Sequence, residues 1–187
     1  MRCGQLGNYK YALSSIIYMS NKMPTNDKIV EVARYFIKRS QEDAPSDSSK
    51  NIDALKLQKL LYYAKAWNLV FNKGGILFPD QFQAWVYGPV SPKIWDHFKD
   101  FDFSTTHPDL AEDNFPNITK KEKEVLDMVW GIYGKFDGKY LINLTHSEEP
   151  WLKARQGLNK DSLSQSVITD ESMKSFYERR LQEEARA

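Results

Sequence analysis

The segment His146-Ser-Glu-Glu149 places an imidazole within three residues of two carboxylates, a combination that general acid–base chemistry uses. The same residues also have a structural reading. Thr145 and His146 hydrogen-bond across the end of one helix, while Glu148 and Glu149 open the next helix near its positive pole. The structural reading is preferred, because nothing completes a catalytic set. There is no G-x-S-x-G elbow to present a serine nucleophile. Cys3 is the single cysteine and lies close to the N-terminus. His97 and His107 share no helix face with His146 at zinc-ligand spacing, and one cysteine leaves no structural zinc pattern. Gly74-Gly75 lacks both the Lys-Ser/Thr of a P-loop and the three glycines of a dinucleotide loop. No catalytic residue, metal or cofactor is expected.

Charge bears on partners. The 187 residues carry 26 Lys+Arg against 25 Asp+Glu, a net charge of +1. Proteins that live on phosphate contacts show a basic surplus, so nucleic acid is not the expected partner. The run Lys120-Lys-Glu-Lys-Glu124 mixes signs and reads as a solvated helix face. Lys56, Lys59 and Lys65 could line a basic stripe with Tyr62 and Tyr63, but their helix is too apolar to stand as a free surface. A single cysteine allows no internal disulfide and suits a reducing, cytoplasmic setting. No apolar run reaches the ~20 residues of a membrane span. The apolar stretch "YALSSIIYM" near the N-terminus is short, contains serines and is followed by no small-residue cleavage site.

These side chains must be positioned by helices for the most part. Hydrophobic spacing predicts a first helix from Asp27 to about Gln41, capped by Asn26. A central helix runs from Asp53 to about Asn72 and stops at Gly74-Gly75, with Leu57, Leu60, Leu61, Ala64, Trp67 and Phe71 in one stripe. A short strand is expected over Phe82 to Tyr87. Ser91 and Pro92 then launch a third helix to about Lys99. Residues 100–117 read as a loop. The capping box Thr119-Lys-Lys-Glu122 opens a fourth helix with Val125, Met128, Val129, Ile132 and Phe136 inward, ended by Asp137-Gly138. Short helices follow at Lys139 to Thr145 and from Pro150, and a last helix starts after Thr169. The expected fold is mainly α (α+β), a single compact multi-helix domain with a small β-ribbon. Residues 25–180 would form it, with a loosely ordered extension over 1–24 and a tail over 181–187.

One stretch is left over: Ala84 to Trp95, "AWVYGPVSPKIW", packs two tryptophans, a tyrosine, a glycine and two prolines into twelve residues. It holds no base and no metal ligand, and its one serine is better used as a helix cap. Read in order, "LKLQKLLYYAKAWNLVF" (55–71), "FQAWVYGPVSPKIW" (82–95) and "LTHSEEPWLKAR" (144–155) resemble the Panacea domain, or SocA-like antitoxin domain, over about Thr25 to Arg179. That resemblance implies a small cytoplasmic protein, encoded by a bacterium or prophage, that neutralises a toxin encoded nearby by binding it directly. At least one member of the family acts instead as an adaptor that delivers its toxin to an ATP-dependent protease. Trp67, Trp85, Gly88, Pro89, Ser91, Thr145 and Pro150 match the family pattern as structural positions. Tyr87, Val90, Lys93, His146 and Trp151 are the candidate partner contacts around the corners they form.

Overall fold

The computed structural model describes residues 27–104 and 115–186. These residues contain seven α-helices and a three-stranded antiparallel sheet, as the mainly helical reading with a small ribbon anticipates. In chain order they are α1 (Lys28–Asp43), α2 (Ala54–Phe71), β1 (Phe82–Trp85), β2 (Gly88–Val90), α3 (Pro92–Phe98), α4 (Lys120–Tyr133), α5 (Gly138–His146), α6 (Glu149–Ala154), β3 (Val167–Ile168) and α7 (Asp170–Glu184). The expected extension over 1–24, the Asn26 cap, Cys3 and His107 lie outside the described residues.

Helix α2 is the axis of the fold. Its leucines, alanines, lysines and glutamine are strong helix formers, and the Asp53 side chain caps it by accepting from the Lys56 amide. It packs on α1, α3, α4, α5, α7 and β2. Being enclosed nearly all round, it has to bury polar residues as well as apolar ones. Each of those finds backbone. Lys56 donates to the carbonyls of Ser49, Asn51 and Gly134 at 2.7–2.8 Å. Lys65 donates to the Asp80 carbonyl and pairs with Asp170. Asn68 donates to the Gly75 carbonyl. Buried donors left without acceptors would each cost a few kcal/mol, so this pattern lets α2 fix the path of the segments at Ser49–Asn51, Gly75, Asp80 and Gly134.

The sheet order is β2-β1-β3, with Trp85 opposite Gly88 and Phe82 opposite Ile168. β1 ends at Trp85, short of the strand expected to reach Tyr87. Val86 and Tyr87 form a two-residue turn, and Gly88-Pro89, expected as a corner, belong to the returning strand. Tyr87 and Val86 keep negative φ, so the turn is not of the mirror-image kind; Gly88 supplies the left-handed residue at φ +91°.

Three further expectations change. The side chains of α4 that face inward are Val125, Leu126, Val129, Trp130 and Tyr133, whereas Ile132 lies one step round the helix and is 45% exposed. Asp137 does not end α4; the helix stops at Tyr133, and Asp137 caps α5 by accepting from the Tyr140 amide. Gly138 begins α5 because it sits against α2, where a Cβ would come within 3.2 Å of Asp53, Leu55 and Lys56. Two residues, Val167–Ile168, form a strand where only a lead-in to α7 was foreseen, since pairing with β1 needs no longer run.

Candidate functional site: a supported hairpin tip

The β1–β2 hairpin is gripped from behind by side chains that bind its backbone. Gln58 of α2 makes a reciprocal pair with Ser91, accepting from its amide at 2.8 Å and donating to its carbonyl at 3.3 Å. Lys59, wholly enclosed, donates to the Pro89 carbonyl at 3.0 Å. Close approach here depends on Gly88, because a Cβ would lie 2.7 Å from Lys59 Cε and 2.8 Å from Thr145 Oγ1. From the other side, Trp151 Nε1 donates to the Trp85 carbonyl at 3.0 Å and Arg155 to the Ala84 carbonyl at 2.9 Å. The His146 ring hydrogen-bonds the backbone of Val86 and stacks on Trp151 at 4.1 Å. Three side chains from α5, α6 and its C-terminal end thus hold three consecutive residues, 84 to 86.

What the hairpin presents outward is Tyr87, 66% exposed at the turn. Trp85 is half-buried beside it, edge-on to Trp95 at 6.2 Å. Lys93, the second residue of α3, is exposed and tied to Asp27 and Asp80. The other candidate contacts sit deeper: Val90 is 2% exposed, Trp151 is 6%, and His146 is half-buried. Their side chains support the hairpin from within. Trp67 lies in the aromatic core, donating to the Tyr133 hydroxyl at 3.1 Å. Ser91 caps α3, accepting from the Ile94 amide, and Pro92 holds its first position as read from the sequence. Thr145 is buried and donates to the Ile142 carbonyl; Pro150 is the second residue of α6.

The histidine–carboxylate pair is not assembled. Glu148 is 2% exposed and gives its carboxylate to Tyr177 at 2.7 Å, to Tyr63 at 3.4 Å and to Arg180 at 3.3 Å. Burial pushes its carboxyl up to about 7, against the opposing pull of the Tyr177 hydrogen bond and the Arg180 charge. His146 is held below its ordinary value by burial and then by the nearby Lys59 charge. Lys59 itself is brought down to about 7 by burial, with only Asp53 acting against it. Among the described residues no group of three or more His, Cys, Asp or Glu is placed to hold a metal ion, and no helix is long and apolar enough to cross a membrane.

The model of the antitoxin SocA-like, Panacea domain matches residues 57–152, a little over half of the chain. The chain belongs to this family. No curated protein and no solved structure matches it significantly. Within this SocA-like chain the matched block contains the hairpin together with Gln58, Lys59, His146 and Trp151. Arg155 and all of α7 lie beyond it.

Sequence reading missed Gln58 and Arg155 and gave other roles to Lys59, as part of a basic stripe, and to Glu148, as a helix start; the support that Gln58 and Lys59 give the hairpin, and that of Arg155, went unread. A signal existed for Gln58 and Lys59. Polar side chains inside a helix apolar on every face must find partners, and these lie two and three residues from Lys56 in the block that carries the family pattern. Arg155 had none, because its acceptors are carbonyls scattered from Ala84 to Ser162.

Proposed function

We propose that this SocA-like domain is an antitoxin that neutralises a cognate toxin in the cytoplasm by direct protein–protein binding, with the hairpin tip as its leading contact. The observation that carries the reading is Tyr87: a large exposed aromatic at the end of a short turn whose backbone is fixed from both sides. Such a side chain offers contact area while losing few rotamers on binding, and aromatic residues of this kind anchor interfaces. Lys93 supplies charge at the rim, and Trp85 adds apolar area next to Tyr87. Val90, His146 and Trp151 act through the hairpin by holding its shape. Membership of an antitoxin-like family supplies the class of partner.

The test is co-expression with the product of the adjacent open reading frame. That product is expected to arrest growth alone and to be tolerated with this protein. It should co-purify with the wild-type chain and be lost or much weakened with Tyr87→Ala. Protection that persists in cells lacking ATP-dependent proteases supports occlusion; protection that vanishes there favours delivery to the protease. A neighbour that is harmless by itself contradicts the reading.

A further inference from the structure

The deepest part of the hairpin's support is a lysine with no carboxylate partner. Lys59 is completely enclosed, and its amine points at the Pro89 carbonyl 3.0 Å away. Thr145 Oγ1 approaches the same spot, where only the missing Cβ of Gly88 leaves room. The two other buried lysines of α2 are better provided for. Lys56 has three carbonyls, and Lys65 has a carbonyl and the Asp170 carboxylate. An ammonium has three protons to place and is heavily penalised in an apolar enclosure, whereas a neutral amine needs less. Next to it stands a second base, His146, whose Nε2 is enclosed with no hydrogen-bond partner among the described residues. Both grip the same turn, through Pro89 and Val86.

We propose that the Lys59 amine is a latch for the hairpin: neutral, it holds the turn against α5, and protonated, it drives the turn outward until water reaches the ammonium. The charged groups that act on this pair are Asp53 at the N-terminal end of α2, and Arg155 and Lys160 beyond α6. The turn itself, residues 86–90, carries no charge. In the closed state the amine titrates at about 7, against 10.5 for an ordinary lysine. Between those limits the open form gains up to about tenfold per unit fall in pH; below the lower limit both forms are protonated and the effect levels off. Protonation of His146, also disfavoured in the closed state, adds a push in the same direction under more acidic conditions. Presentation of Tyr87 is thereby tied to pH. That this regulates partner capture rests on the reading in the preceding subsection, but the latch can be tested on the protein alone.

Backbone amide hydrogen exchange, corrected for intrinsic rates, is measured from about pH 7 to about pH 9 on the wild type, Lys59→Met and His146→Gln. Amides of residues 84–90, proline excepted, should exchange ahead of those of α2, and their protection should climb by up to about tenfold per pH unit. In Lys59→Met the climb should vanish, while His146→Gln should keep it. A flat profile in the wild type overturns the latch. So does hairpin exchange that occurs only together with α2, or a Lys59→Met profile that follows the wild type. If Lys59→Met does not fold, side-chain titration of Lys59 by NMR in the unaltered chain decides: a midpoint below about 9 supports the latch, and one at or above it overturns it. Neither measurement involves a partner, so the latch can fail while toxin binding stands, and the reverse.

Discussion

Lys59 and Tyr63 stand one turn apart on α2, and each marks a buried ionisable group handled in a different way. Around Lys59 the one partner is a backbone carbonyl, that of Pro89, and the amine has no counter-ion in contact. Around Tyr63 the charge is a carboxylate, Glu148, ringed by hydroxyls from Tyr63 and Tyr177 and reached by Arg180. Tyr63 also stacks on Tyr133 at 3.9 Å, and Trp67 lies against Tyr177 at 5.0 Å, so the carboxylate sits in an aromatic box. The box ties α7 to α2 and α6, and its ring contacts and ion pair do not depend on a single bond. The Lys59 site ties a surface turn to the core with one bond and no spare volume. One region is built to stay shut, the other to be adjustable, and the adjustable one lies under the exposed Tyr87.

The sharpest way to break this contrast is to remove the close fit at Gly88. Gly88→Ala would press a methyl to within 2.7 Å of Lys59 Cε at a φ of +91°, strained for any L side chain. Unfolding by urea should show a loss of about 3–4 kcal/mol, the sum of overpacking and backbone strain. A loss below about 1 kcal/mol would mean that the joint has slack.

The two charges also predict opposite pH arms. Glu148 has its pKa raised on folding, so the native state holds its proton more tightly, and stability falls as pH rises from about 4.5 to about 7. The native state disfavours the Lys59 proton, so stability rises from about 7 towards 10.5. Urea midpoints should therefore pass through a minimum near neutrality, the acid arm on the order of 3 kcal/mol and the alkaline arm up to about 5 kcal/mol. Glu148→Gln should flatten the acid arm, and Lys59→Met should shrink the alkaline one to the part above pH 8 that belongs to Lys56, which burial brings down to about 8. A maximum near pH 7 would show that neither burial governs stability.

Arg155 tests the outer side of the grip. It donates to Ala84 and to the carbonyls of Asn159, Lys160 and Ser162 while lying 5.1 Å above the Trp151 ring. Arg155→Ala should cost about 2 kcal/mol and make the 157–166 segment newly sensitive to proteolysis. Unchanged cleavage would place the restraint elsewhere.

Much of this architecture was legible in the sequence for local reasons. The capping box at Thr119 and Glu122, the Ser91-Pro92 helix start and the low polarity of α2 each act within a few residues. The supports of the hairpin were not legible, because Lys59 meets Pro89, Trp151 meets Trp85 and Arg155 meets Ala84 across 30 to 71 residues. The same holds for Glu148: next to His146 in sequence it suggested a catalytic pair, yet its partners come from α2 and α7. Val90 and Trp151, expected as candidate contacts, lie on the inner side of the hairpin. The facing of Val90 is set by a two-residue turn that the sequence does not mark with Asn-Gly or Asp-Gly.

The smallest expected effect on stability carries the most weight for function. Tyr87→Ala removes an exposed ring and should change unfolding free energy by no more than about 0.5 kcal/mol. Its affinity for the product of the adjacent open reading frame, measured by calorimetry, should nonetheless fall at least about tenfold, as loss of an aromatic anchor does. Wild-type affinity in a normally folded Tyr87→Ala protein would contradict the claim that the hairpin tip is the contact.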